Sequence, residues 1–141
     1  MKCQDAMKRT VVTVGADDSI SLAAKKMRDA DIGFLPVIDS EGDPMGVITD
    51  RDIAVRAVAF DKDTQTRVKD VMTNEIVCVS ADADLTEAED LMVRHQKSRI
   101  VCTDDDGRVI GVISLSDIPT HESARRAGAV FSRITEREAH T

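Results

Sequence analysis

A gapless internal repeat constrains this chain more than any other feature. Shifted by 65 residues, the sequence falls on itself. Asp5 meets Asp70, Met7 meets Met72, Val12 and Val14 meet Val77 and Val79, and Ala16-Asp17 meets Ala81-Asp82. Further on, Ala23 meets Ala88, Met27 meets Met92, Asp39 meets Asp104 and Gly42 meets Gly107. The register closes with Gly46-Val47-Ile48 on Gly111-Val112-Ile113 and Asp52-Ile53 on Asp117-Ile118, for 15 identities between positions 5 and 53. Two copies of one unit occupy most of a 141-residue chain, so the fold is two similar units rather than one unrepeated domain.

Each copy reads alike. Val11-Val12-Thr13-Val14 and Ile76-Val77-Cys78-Val79 are short β-rich runs. Apolar residues then recur at helical spacing, Ile20, Ala23, Ala24 and Met27 in one copy and Leu85, Ala88 and Met92 in the other. Ser19 is the expected cap of the first helix, and Asp84 with Glu87 forms the expected capping box of the second. A strand over Phe34 to Ile38 runs into Asp39-Ser40-Glu41-Gly42-Asp43, a turn sequence in which Gly42 is free to take positive φ. A strand from Met45 to Thr49 closes the hairpin, and Asp52 opens a second helix. The predicted fold is α/β (α+β): two β-α-β-β-α repeats related by a pseudo-two-fold axis, each covering the sheet face the other leaves open, plus a short C-terminal helix carrying Ala127, Phe131 and Ile134.

Composition removes several function classes. With 26 acidic against 19 basic residues the net charge is -7, and no dense basic cluster exists to hold a nucleic-acid backbone, so no nucleic-acid partner is expected. No apolar run approaches the roughly 20 residues of a membrane span, and Met1-Lys2-Cys3-Gln4-Asp5 opens no signal-peptide core, so a cytoplasmic location is expected. Cys3, Cys78 and Cys102 are widely spaced and read as reduced thiols; with His95, His121 and His140 scattered, no metal site is expected. Trp and Tyr are absent, so a flat ligand is gripped by aliphatic side chains.

The richest shared motif is Gly-apolar-apolar-Thr/Ser-x-x-Asp. Gly46 permits close approach of a backbone or a ligand. Thr49 stands where the strand stops, able to donate to a phosphate or to cap the next helix. Asp52 lies one helical turn on, and a carboxylate accepting two hydrogen bonds suits the vicinal hydroxyls of a ribose. The helix start adds unpaired N–H groups and a positive dipole end. In a single copy this pattern is ordinarily a helix cap.

These stretches resemble the CBS-domain pair, or Bateman module. The resemblance rests on Asp5-Ala6-Met7, Leu35-Pro36-Val37-Ile38-Asp39 and Gly46-Val47-Ile48-Thr49-Asp50-Arg51-Asp52, with Asp70-Val71-Met72 and Gly111-Val112-Ile113-Ser114-Leu115-Ser116-Asp117 in the second copy. It implies CBS repeats over 1–60 and 68–120, a linker over 61–67 and a C-terminal helical tail over 121–141. It further implies a stand-alone regulatory module, not an enzyme, that requires no cofactor and senses AMP, ADP, ATP or a related adenosyl ligand. One cleft is expected to use Thr49 and Asp52 with Ile76 and Val77, the other Ser114 and Asp117 with Val11 and Val12; Arg51 and Arg99 are the expected phosphate partners. Some nucleotide-binding relatives place a basic residue three before the proline of the second strand; here Gly33 and Ser98 hold that position. Such pairs are usually dimers, so a homodimer using the alanine faces at Ala23-Ala24 and Ala54-Ala57 is expected, signalling to an unidentified regulated protein. The competing function is a ligand-free dimeric interaction scaffold in which Asp52 and Asp117 are caps.

Overall fold

The turns and caps written into the repeat set the element order. A computed structural model describes residues 1–118, and the tail expected over 121–141 lies outside the described residues. The elements are α1 (Cys3–Ala6), β1 (Val14–Gly15), α2 (Ile20–Ala30), β2 (Phe34–Ile38), β3 (Pro44–Thr49), α3 (Asp50–Asp52), β4 (Cys78–Ser80), α4 (Leu85–His95), β5 (Arg99–Thr103) and β6 (Val109–Ser114). Helix α3 runs on through a wide π turn, Ile53–Ala57, and a 3-10 turn, Val58–Phe60; further 3-10 turns occupy Val68–Asp70 and Leu115–Asp117. The architecture is mixed α and β with two three-stranded sheets, ordered β1-β2-β3 and β4-β5-β6.

The two sheets keep the same register. β1 lies parallel to β2 with Val14 opposite Val37, and β4 lies parallel to β5 with Val79 opposite Cys102, 65 residues on. Both hairpins are antiparallel and both carry a bulge at the equivalent point, Val37/Ile38 and Cys102/Thr103. Gly42 and Gly107 take φ of 86° and 83° in the two turns, where an L side chain is strained. In each turn one carboxylate holds the loop: Asp39 Oδ1 accepts from the N–H groups of Glu41 and Asp43, and Asp104 Oδ1 from those of Asp106 and Arg108. Helix α2 is capped by Ser19, whose Oγ accepts from Leu22 N at 3.1 Å. At α4 the cap is Asp84, accepting from Thr86 N at 3.0 Å; Glu87 does not complete the expected box.

The first strand of each copy is shorter than its apolar run predicts and starts later. β4 begins at Cys78 because Val101 N donates to Val77 O at 3.0 Å. The counterpart of Val101 is Pro36, which has no N–H to give, so β1 loses that rung and retains two residues.

Packing divides the chain at different places from the repeat. One compact unit comprises residues 12–76; the other comprises residues 1–11 with the chain from Val77 onward. We call them the Asp52 unit and the Asp117 unit. The opening segment of each sequence copy thus packs with the hairpin of the other copy. Thr73 pairs with Val47 on β3 through N–H···O bonds of 2.8 and 3.0 Å, and Lys8 pairs with Val112 on β6 through bonds of 3.0 and 3.2 Å. The motif glycines make this possible. A Cβ on Gly46 would run into the Thr73 carbonyl oxygen, and one on Gly111 into the Met7 sulfur. Of the two partners that Gly46 admits in principle, backbone or ligand, the structure supplies backbone.

Each unit has its own aliphatic core. Leu35, Val37, Ile48, Val68 and Val71 are buried in the Asp52 unit around Ala23 and Ala57. Leu85, Met92, Ile100 and Ile113 are buried in the Asp117 unit with Cys3 and Cys102. Among the described residues no helix is long and apolar enough to cross a membrane.

Candidate functional site

Where β3 ends, Thr49 takes extended backbone angles and becomes the N-cap of α3. Its Oγ1 accepts from Asp52 N at 3.1 Å, and Asp52 Oδ2 accepts from Thr49 N at 3.1 Å. The helix therefore opens at Asp50, with Asp52 in its third position closing a reciprocal capping box. Asp52 is buried, and its other oxygen, Oδ1, accepts from the Thr73 hydroxyl at 3.3 Å and lies 3.8 Å from Arg56 Nε. Arg56 is held in place by donating from Nη1 to Met72 O at 3.0 Å.

The end of β6 repeats this arrangement with different neighbours. Asp117 Oδ2 accepts from Ser114 N and from Ser114 Oγ, both at 2.9 Å. Its Oδ1 lies 3.9 Å from Lys8 Nζ. The Asp117 side chain is 15% exposed and the Lys8 side chain 71%, so the carboxylate is sheltered and the ammonium solvated. Each motif aspartate thus spends one oxygen on its own backbone and turns the other toward a residue of the strand-pairing segment.

The remaining predicted residues fall as follows. Ile76 belongs to the Asp52 unit and Val77 to the Asp117 unit; Val11 belongs to the Asp117 unit and Val12 to the Asp52 unit; all four are half-buried. Arg51 is exposed on α3. Arg99, the exposed first residue of β5, lines an open cavity of about 340 Å³ with Ser98, Ser114, Leu115 and Ser116. At the opposite edge of the first sheet a larger hollow, about 660 Å³, includes Thr13, Asp17, Lys26, Asp39 and Lys69. Both of its lysines are already engaged, Lys26 with Thr13 O at 2.7 Å and Lys69 with Asp17 Oδ1 at 3.0 Å.

Three residues of this arrangement escape a reading of the motif alone. Arg56 stands four residues after Asp52, a spacing that helix geometry makes a contact. Thr73 and Lys8 are equivalent positions of the repeat, yet they differ in type and reach the aspartates only through the strand pairing described above.

Cys3, Cys78 and Cys102 are all in the Asp117 unit and all free thiols. Burial pushes the Cys3 thiol up to about 11 and that of Cys102 up to about 12, and raises Cys78 as well. Among the described residues no three His, Cys, Asp or Glu side chains are grouped to hold a metal ion. The alanine faces divide. Ala23 and Ala57 are fully buried in their own unit's core, and Ala24 and Ala54 are exposed. Beside Ala54, Val55, Val58 and Phe60 are exposed too, Phe60 at 70%.

Comparison with known proteins places this geometry. A family model described as CBS domain matches residues 3–58 and 68–120. The chain is 35% identical over 137 residues to the uncharacterized protein YlbB of Bacillus subtilis (strain 168), covering 96% of this chain and 92% of that one. Among solved structures it is similar to Hypoxic Response Protein I with two coordinated zinc ions: TM-score 0.76, 29% identity, 86% of this chain and 98% of that one. It is likewise similar to the CBS domain pair of protein MJ0100 in complex with 5-methylthioadenosine and S-adenosyl-L-methionine: TM-score 0.72, 27% identity, 84% of this chain and 92% of that one.

Proposed function

The chain belongs to the CBS-domain family, and from that premise we propose that it is a regulatory module: it binds an adenosyl ligand, AMP, ADP, ATP or a related compound, and signals occupancy to a partner protein. The observation that carries this reading is the duplicated carboxylate. At Asp52 and again at Asp117 one oxygen closes a helix cap while the second stays clear of the backbone, sheltered from bulk water and beside a hydroxyl or a cation. A cap alone needs only the first oxygen. Ser114, which bonds Asp117, lines a 340 Å³ opening; a sheltered carboxylate oxygen is suited to a ribose hydroxyl, with aliphatic residues available for the base. The adenosyl ligands on the MJ0100 pair support the ligand class. In this reading Thr49, Asp52 and Ile76 serve one ligand, and Ser114, Asp117 and Val11 the other. The role is binding and signalling rather than catalysis.

Calorimetric titration with adenosine, AMP and ATP tests the proposal, beside mass spectrometry of small molecules that co-purify. Saturable binding of at least one adenosyl compound supports it. Failure of all of them leaves the competing reading, an interaction scaffold in which the aspartates are caps. One observation favours that reading specifically: the exposed apolar strip Val55, Val58 and Phe60 on the second helix of the Asp52 unit. The strip also supports self-association, so a homodimer belongs to both readings.

A further inference from the structure

The two motif sites differ in charge at equivalent positions. Lys8 stands beside Asp117, and Arg99 lines the open cavity with Ser98, Leu115 and Ser114, the residue whose N–H and hydroxyl donate to Asp117. At the positions equivalent by the 65-residue repeat, Lys8 is matched by Thr73, Arg99 by Phe34, Ser98 by Gly33 and Leu115 by Asp50. The last exchange changes both space and charge. A Cβ built on Gly33 would stand 2.6 Å from Asp50 Oδ2, so the carboxylate occupies the place of a side chain at that position. Asp50 is oriented by accepting from Arg51 N at 2.8 Å.

The cations of the Asp52 unit do not restore the balance. Arg56 is committed to Asp52 Oδ1 and Met72 O. Arg51 is exposed and adjoins the Asp50 carboxylate. Near the motif this unit sets two arginines against two carboxylates, Asp50 and Asp52. Among the described residues Lys8 stands by Asp117 and Arg99 lines the cavity beside Ser114, and Lys8, 71% exposed at 3.9 Å, is free to exchange that long contact for a ligand oxygen. Phosphate oxygens favour the second setting and are repelled in the first.

We propose that the two units divide adenosyl ligands by charge: the Asp117 unit takes the phosphorylated nucleoside through Lys8 and Arg99, and the Asp52 unit takes an adenosyl compound carrying no phosphate. This rests on the adenosyl-binding reading above. Lys8 and Arg99 are then specificity residues that choose between ligands sharing one nucleoside.

The test is calorimetry on the full chain with ATP, AMP and adenosine. Wild type should bind ATP at one site per chain, and the affinity should fall with salt because its contacts are exposed; adenosine binding should not. The double variant Lys8→Gln, Arg99→Gln should weaken ATP about ten-fold or more and leave adenosine within about two-fold. Both side chains are exposed, so the variant is expected to fold. Arg28→Gln, at an exposed arginine paired with Asp29, should leave ATP unchanged, and Asp50→Asn should raise AMP affinity at the second site. If ATP and adenosine both bind but the double variant keeps the wild-type ratio, or Arg28→Gln alone abolishes ATP binding, the division by charge is overturned while the adenosyl reading stands. If neither adenosine nor ATP binds wild type, both are overturned together.

Discussion

Replacing Asp52 by Ala separates its two roles. The side chain accepts from Thr49 N at 3.1 Å and from the Thr73 hydroxyl at 3.3 Å. Losing the cap costs about 0.5–2 kcal/mol. The Thr73 hydroxyl, half-buried, loses its acceptor at a further cost of about 1 kcal/mol. The Arg56 contact adds little, since that side chain is half exposed. Together these predict a loss of about 1.5–3 kcal/mol, or a melting temperature lower by roughly 5–12 °C. Asp52→Asn keeps an acceptor for Thr49 N and should lose about 1 kcal/mol or less. Stability is read by urea and thermal unfolding, binding by calorimetry with adenosine and 2′-deoxyadenosine. If Oδ1 holds a ribose hydroxyl, Asp52→Ala weakens adenosine at one site by about 10- to 150-fold. Wild type should show a similar deficit for the deoxy compound, and the variant little more. A variant that melts early yet binds both compounds as wild type does would reduce Asp52 to a cap and refute the ribose role.

Gly46→Ala should cost about 2–4 kcal/mol in urea unfolding, because the added methyl displaces the Thr73 carbonyl and both bonds to Val47. Gly107→Ala, with positive φ but nothing within 4 Å, should cost only about 1 kcal/mol; equal losses would refute the packing argument. The thiols of Cys3 and Cys102 rise on folding, so the stability they contribute is complete below their unfolded value, near 9, and is lost as pH climbs toward about 11 and 12. Unfolding titrations from pH 8 upward should show that decline, less steep in Cys102→Ala, and thiol alkylation at pH 8 should be slow until the chain unfolds. Light scattering at micromolar concentration should give a dimer mass for wild type, with Phe60→Asp shifting it toward monomer; a wild-type monomer would refute self-association through that strip.

Much of the structure was legible in the residues themselves. The 65-residue register foretold two sheets with one topology, because identical patterns of period-2 and period-3.6 apolar residues demand identical elements. Local chemistry placed the caps at Ser19 and Asp84 and the positive-φ turn at Gly42, since each depends on neighbours within four residues. Helix spacing would also have yielded Arg56 beside Asp52.

What only the tertiary structure decided is long-range. The division into residues 12–76 and the remainder follows from which hairpin each opening segment pairs with, and no local pattern encodes a partner some 26 or 104 residues away, as Thr73 is from Val47 and Val112 from Lys8. That pairing brings Thr73 to one motif aspartate and Lys8 to the other, so two aspartates identical in sequence acquire different electrostatic surroundings. It also assigned Gly46 to a backbone contact. Ala57 went to the core while Val58 and Phe60 stayed outside, a choice that apolar character cannot make because all three are apolar and only packing distinguishes them.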